Sequence, residues 1–502
     1  MIKLDGKNLT IEEVAKVARH MEPVALSEEA YAQIEKSRSY IEAILEGEEL
    51  HYGINTGFGA FQDVKVSKED LSQLQINLIR SHSVGVGEPL STDVVRAMMV
   101  TRANALCRGN SGVRLSTVSI LINMLNKGVH PVVPSRGSVG ASGDLCPLSH
   151  IAMSMMGEGK SEFGGEIMDG GTALKKAGIM PLVPAAKEGL ALINGTQLMA
   201  GIGSLALYDA KNLINIADVA GAMAIEVLLG TDGAFADEIS RARPHKGQSE
   251  TAANLRRILT GSEITKSHRD CGKVQDAYSL RCMPQVHGAA RETARFAEEI
   301  LSVEINSSVD NPLIFPESDM IISGGNFHGA PVAIVLESLA LGLQFLSNMS
   351  ERRIERMVNS HYSSGLPAFL SPHAGLQSGF MIAQYAAAAM VSENKVLCHP
   401  ACCDTIPTSA GQEDVVSMGS ISALKLLKIL DHTRKVLAIE LLASCEAMEY
   451  RKPLKPAPVT GKTYEMIREI SPRLTEDRSL SIDIEKVDEL LKNEGFISAL
   501  KK

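Results

Sequence analysis

The chain has 502 residues, of which 45% are hydrophobic and 22% charged, and its formal net charge is -9. This is the balance of a globular protein with enough length to bury a large core, and not that of a disordered chain. An acidic chain lacks the basic stripe that displaces counterions from phosphate, which argues against general nucleic-acid binding and for a small substrate.

Met1 opens a charged, mixed segment with no apolar stretch before a small-residue cleavage site. No secretory signal is expected, and the predicted location is cytoplasmic. Length alone would allow about three domains. No proline-rich or serine-rich linker divides the chain, so the division expected is an N-terminal region over 1–200, a central long-helix region over 201–450 and a C-terminal helical tail over 451–502. The clearest strand candidates lie around 164–180, where glycine pairs punctuate short segments, so any sheet is small and belongs to an N-terminal α+β region. Residues 331–357 predict one long helix, with Val332, Val335, Leu336, Leu339, Leu343, Leu346 and Met349 recurring on one face. Ile334, Ala340 and Leu341 fall off that stripe, so the helix needs partners on more than one side. Residues 381–395 and 421–447 repeat the pattern, and these stretches are rich in good helix formers. Apolar runs such as 385–391 are shorter than the roughly 20 residues that span a bilayer. The fold expected is mainly α. Eight cysteines in so long a chain suggest reduced thiols. The cluster Cys398-His399-Pro400-Ala401-Cys402-Cys403 lacks paired Cys-x-x-Cys halves, and no metal site is expected there. Lys501-Lys502 reads as a solvated terminus.

The run Gly137-Ser138-Val139-Gly140-Ala141-Ser142-Gly143-Asp144-Leu145 holds the most unusual chemistry. No standard side chain is a good electrophile. In a tight enough bend, the amide nitrogen of Gly143 can attack the carbonyl carbon of Ala141, and loss of two waters leaves an imidazolone whose exocyclic methylidene was the Ser142 side chain. Glycine permits the close approach, alanine adds little bulk, and serine has a β-hydroxyl to eliminate.

This stretch resembles the active-site signature of the aromatic amino-acid ammonia-lyases and the related aminomutases, and the resemblance spans nearly the whole chain. It includes His51-Tyr52-Gly53-Ile54-Asn55-Thr56-Gly57-Phe58-Gly59, Ser81-His82, Asn194-Gly195-Thr196-Gln197, Gln275-Asp276-Ala277-Tyr278-Ser279-Leu280-Arg281, Asp310-Asn311-Pro312, Gly324-Gly325-Asn326-Phe327-His328-Gly329 and Gln412-Glu413-Asp414. The resemblance implies a long-helix bundle of the ammonia-lyase and fumarase-like type, assembled as a homotetramer with active sites shared between subunits. It also implies a 4-methylidene-imidazol-5-one (MIO) group made from Ala141, Ser142 and Gly143, with no external cofactor. The substrate implied is a small amino acid, and neither nucleic acid nor membrane is a partner.

Carried over position by position, the resemblance makes Tyr52 the base that removes the β-proton and places Tyr278 at the electrophile. Arg281 would receive the substrate carboxylate, for which a guanidinium offers two parallel hydrogen bonds. Asn194 and Gln275 would donate to developing negative charge, and Phe327 would pack against the ring or the substrate. His82 and Glu413 select the substrate. Ser81-His82 matches the histidine-acting members, and Glu413 supplies a carboxylate that can accept from an imidazole where phenylalanine-acting members have an amide. Against this, Val415 stands where histidine-acting members carry a histidine. The reaction expected is elimination of ammonia from histidine to give trans-urocanate. The alternatives are a tyrosine or broader aromatic lyase, or a 2,3-aminomutase, and from another class a non-catalytic oligomer that keeps the scaffold. Cys146 and Ser149 replace alanines common after the electrophile and are expected to alter packing only.

Overall fold

The computed structural model describes residues 1–47, 49–57 and 64–500. Phe58 and Gly59, at the end of the glycine-rich run around Tyr52, and the terminal pair Lys501-Lys502 lie outside the described residues. The fold is mainly α, with twenty α-helices and four small sheets among the described residues. The chain forms two compact units. One comprises Met1–Tyr208, Ala297–Glu337 and Pro400–Leu424, and the other Asp209–Phe296, Ser338–His399 and Lys425–Lys502.

All the described strands belong to the first unit. Ile2–Leu4 pairs in parallel with Val24–Leu26, and Val86–Pro89 pairs antiparallel with Pro134–Arg136. Lys160–Phe163 lies between Val129–Pro131 and Glu166–Asp169, and its hairpin closes on Gly164 and Gly165, both at positive φ, as such a two-residue turn requires. The strand region anticipated over 164–180 therefore starts earlier and ends sooner. From Gly170 to Lys176 the chain is helical, because Ala173, Leu174, Lys175 and Lys176 favour a helix and Ala173 and Leu174 bury against the sheet side. The first helix, Ile11–Arg19, starts at a capping box in which Thr10 and Glu13 satisfy each other's amides.

The three predicted long helices run Ala330–Val358, Met381–Leu397 and Gly419–Glu449. Ala330–Val358 buries Val332, Val335, Leu336, Leu339, Leu343 and Leu346, as its periodicity requires. It also buries Ala340, while Ile334, Leu341 and Phe345 are 53%, 44% and 56% exposed along another face. By length and apolarity alone this helix could cross a membrane, but 67% of its most apolar stretch is packed inside the protein, which marks a core helix.

In the second unit a chain of buried charges links residues from four long helices. Arg353 makes a two-point ion pair with Glu440, and both side chains are inaccessible to solvent. His287 donates from Nδ1 to Asp218 at 2.7 Å, and its Nε2 lies 3.4 Å from Arg353. Arg291 closes on the second oxygen of Asp218 at 2.5 Å. Burial lowers the His287 pKa and the Asp218 charge opposes it. Each charge has a partner, which is the condition for tolerating charge in a core.

Candidate active site

The Ala141-Ser142-Gly143 segment lies in the first unit, in a bend that only small residues permit. Ser142 has φ +52° and Gly143 φ +77°, both in the left-handed region. Gly143 bridges to Gly195, and the next amide, Asp144 N–H, donates to the Gly195 carbonyl at 2.6 Å. A Cβ on Gly143 would stand 2.2 Å from that carbonyl oxygen. From the other side the loop is held by Met418 N–H donating to the Val139 carbonyl at 2.9 Å and Ser420 Oγ donating to the Ser138 carbonyl at 2.8 Å. The strained φ of Ser142 and the glycine pressed against backbone are what a self-cyclising loop needs, so these residues fit the prosthetic group the family signature implies.

Asp144 shapes this region although it was not among the expected site residues. Its Oδ2 accepts from the amides of Leu198 and Met199, at 3.0 and 3.1 Å, in the first turn of the helix Gln197–Val227. A helix start favours an anion. Burial works against those amides and pushes the Asp144 carboxyl up to about 7. The only hint in sequence was its place directly after the tripeptide.

Glu413 reaches the tripeptide from a tight loop in which Thr408 and Glu413 pair backbone to backbone. Its Oε1 accepts from Ser142 Oγ at 2.8 Å, and its Oε2 accepts from Thr408 Oγ1 at 2.8 Å. His82 ends the helix Leu71–His82, and its Nδ1 faces the Leu78 carbonyl at 2.8 Å. That contact makes Nδ1 the protonated nitrogen and leaves the lone pair on Nε2. Burial lowers the His82 pKa, while the Leu78 carbonyl and the Glu413 charge pull it the other way.

The segment after His82 is tied to the helix Leu145–Met155, which begins right after Asp144. Gly85 N–H donates to His150 Nε2 at 3.1 Å, and Ser83 Oγ lies 3.1 Å from Ser149 Oγ. Ser149 thus does more than alter packing. Burial lowers the His150 pKa and so favours the neutral form that can accept.

Asn194 caps the end of the helix Glu188–Ile193 and donates from Nδ2 to the Asn311 carbonyl at 3.2 Å, while its buried Oδ1 has no protein donor. Beneath it lie two cations that sequence reasoning missed. Lys187 pairs with Asp310 at 2.7 Å, both fully buried, and Arg102 donates to Gln197 at 3.0 Å and to the Ala191 carbonyl. Burial brings the Arg102 pKa down to about 10, so it stays charged. Nothing in the sequence separates such residues from surface charges. Tyr52 sits half-buried in a turn closed by Asn55, whose Oδ1 accepts from His51 N–H at 2.7 Å. Phe327 is half-buried after the exposed Gly324 and Gly325.

Gln275, Tyr278 and Arg281 belong to the second unit. Tyr278–Arg281 is one short helical turn, which puts both residues on one side, with the Arg281 guanidinium 4.7 Å from the Tyr278 ring centroid. Arg281 Nε donates to the Asp276 carbonyl at 2.9 Å, so the rest of the fork remains for an anion. Asp276 is itself anchored by Thr231 N–H at 2.7 Å and by Lys273 Nζ at 2.6 Å. A cavity of about 190 Å³ bounded by Thr231, His268, Lys273, Gln275 and Asp276 lies alongside. Tyr278 is 71% exposed in the single chain.

A strained Ala-Ser-Gly bend contacting a carboxylate, on a mainly helical scaffold, fits a carbon–nitrogen lyase. The chain belongs to the aromatic amino acid lyase family, whose pattern matches residues 9–469. It is 51% identical over 512 aligned positions to the histidine ammonia-lyase of Koribacter versatilis, covering all of this chain and 99% of that protein. Among solved structures, the histidine ammonia-lyase of Trypanosoma cruzi superposes with a TM-score of 0.93 at 43% identity, covering 100% of this chain and 95% of that one. The tyrosine aminomutase of Streptomyces globisporus superposes with a TM-score of 0.95 at 39% identity, covering 100% and 98%.

Proposed function

We propose that the chain is a cytoplasmic histidine ammonia-lyase that releases ammonia and trans-urocanate from L-histidine. The observation that carries this reading is the Glu413 carboxylate 2.8 Å from Ser142 Oγ, in a chain about half identical throughout to histidine ammonia-lyases. Ala141, Ser142 and Gly143 form the MIO ring, which supplies an electron-poor methylidene carbon and so turns the substrate amine into a better leaving group. Glu413 accepts the one N–H of the neutral substrate imidazole, and His82, its Nδ1–H committed to the Leu78 carbonyl, leaves Nε2 as a polar edge of the pocket. A phenyl ring would leave these groups unpaired, at about 1–3 kcal/mol for each buried one. Arg281 holds the substrate carboxylate through the nitrogens not used on Asp276. Tyr52 takes the β-proton on its phenolic oxygen, for which nearby donors must bring it below its usual pKa of roughly 10. Asn194 and Gln275 donate amide hydrogens as negative charge develops, and Phe327 packs against the ring.

The assembly proposed is a homotetramer. The exposed Ile334, Leu341 and Phe345 supply an apolar face for a second copy, and the exposed Tyr278 and Gln275 suit a site completed by another subunit. A tyrosine-acting or broader aromatic lyase, or an aminomutase, is the alternative that Val415 raised, and the full-length histidine ammonia-lyase relatives do not favour it. Ultraviolet progress curves on L-histidine, L-tyrosine and L-phenylalanine, with product identification, separate the readings. Urocanate from histidine alone is the expected result, and coumarate or a β-amino acid would replace it with the alternative.

A further inference from the structure

Ser142 can leave its hydroxyl behind only as water, because hydroxide is a poor leaving group. The oxygen must therefore gain a proton as the Cβ–Oγ bond breaks. Glu413, 271 positions away in the chain, is a titratable group at hydrogen-bond distance from Ser142 Oγ. Its carboxyl is held in that position: Thr408 Oγ1 occupies Oε2, and the Glu413 backbone exchanges hydrogen bonds with Thr408, N–H to carbonyl at 2.9 and 3.3 Å. The other polar groups of the loop are turned elsewhere. Ser138 Oγ accepts from Gly140 N–H and lies 3.3 Å from the Gly143 carbonyl, and Asp144 Oδ2 is committed to the amides of Leu198 and Met199. Glu413 is also half-exposed, so its proton can exchange with water.

We propose that Glu413 is the acid that completes the tripeptide's own maturation, a role separate from contact with the substrate. This rests on the reading that Ala141-Ser142-Gly143 cyclises. In the step, the Ser142 Cα–H bond breaks and its proton passes to solvent, and that electron pair forms the Cα–Cβ double bond. Glu413 first takes a proton from solvent on Oε1, where the Ser142 hydroxyl turns from donor to acceptor; the Cβ–Oγ pair then goes to oxygen, which takes that proton and departs as water, and the carboxylate is left to be reprotonated from solvent. No oxidant, reductant or second molecule is needed. The same event removes the donor that occupies Oε1, so the acceptor proposed for the substrate imidazole becomes free when the electrophile is complete.

The test is intact-mass analysis of the full-length chain, sampled over time after folding, for the wild type, Glu413→Gln and Glu413→Asp. Glutamine keeps the hydrogen bond but cannot donate a carboxyl proton. Wild type should end two waters lighter than its sequence, and Glu413→Gln should retain at least one of those waters or lose it about 100-fold more slowly, the usual scale of a positioned acid. A wild type that loses no water overturns the cyclisation reading itself. A wild type that loses two, with Glu413→Gln losing two at the same rate, overturns the acid assignment alone. Should the glutamine variant fail to fold, as judged by far-ultraviolet circular dichroism, Glu413→Asp decides: with its acid set back by one methylene it should mature at least several-fold more slowly, and wild-type speed overturns the proposal.

Discussion

Substituting alanine at Gly143 and, as its control, at Gly165 isolates what the contact beside Ser142 contributes. The two glycines share nearly the same positive φ, +77° and +82°. They differ in surroundings: a Cβ at Gly165 meets nothing within 4 Å, whereas at Gly143 it meets the Gly195 oxygen at 2.2 Å and the Gly195 carbonyl carbon at 2.5 Å. An L-residue in the left-handed region costs about 1–2 kcal/mol, and the stiffer unfolded chain returns about 0.4–1. Gly165→Ala should therefore lose about 0–1.6 kcal/mol. At Gly143 the obstructing atoms are backbone and cannot rotate away, and Gly195 has no room to retreat, since its own Cβ position is 2.5 Å from Arg102 and 2.6 Å from the Val309 oxygen. Overpacking adds about 1–3 kcal/mol, so Gly143→Ala should lose about 1–4.6 kcal/mol in all, more than Gly165→Ala by that overpacking term. Denaturant titration at fixed protein concentration measures both, and intact mass should show the Gly143 variant failing to lose two waters. Equal losses at the two positions, with two waters still lost from Gly143→Ala, would refute the reasoning.

Lys187→Met leaves Asp310 as an uncompensated buried charge and should lower stability by about 3–5 kcal/mol; adding Asp310→Asn should recover part of it, and a loss below about 1 kcal/mol for the single variant would show the pair is not buried as described. His150→Ala removes the acceptor for Gly85 N–H and should raise KM for histidine about 5-fold, the worth of one hydrogen bond, with His150→Gln restoring most of it; an unchanged KM would mean that the tie does not position His82. Asp144 carries a pH signature. Folded, it keeps its proton up to about 7, while the unfolded chain releases it in the ordinary carboxylate range. Between those values the folded state binds more protons, so its contribution to stability falls as pH rises through that window and levels off above it. Thermal melts of wild type and Asp144→Asn across that range should converge toward low pH and separate at high pH in favour of the variant, and parallel curves would contradict this.

The long helices were legible because an apolar side chain every third or fourth residue leaves a periodic trace, and their ends fell within two residues of those expected. The helix Gly170–Lys176 escaped notice because the glycines before it are punctuation shared by turns and helix starts. In the site, Ser142, Asn194 and Arg281 were legible as parts of motifs. Lys187, Arg102 and Arg353 were not, because a buried cation is recognisable only beside its acceptor, and those acceptors lie 123, 95 and 87 positions away. Ser149 looked like a small core residue until its hydroxyl was seen against Ser83.

The helix Leu145–Met155, eleven residues long, follows the Ala141-Ser142-Gly143 bend at one end and, a turn later, fastens the segment beyond His82 through Ser149 and His150. With His82 selecting the substrate as proposed, a rod that carries both fastenings makes specificity a linked trait. Grafting residues 81–85 from a relative with another substrate would move the reading head without its mount, and the transplant should keep its donor's preference only when positions 149 and 150 travel with it. Selector and helix face are in that sense one cassette, and lineages that changed substrate would be expected to have exchanged both.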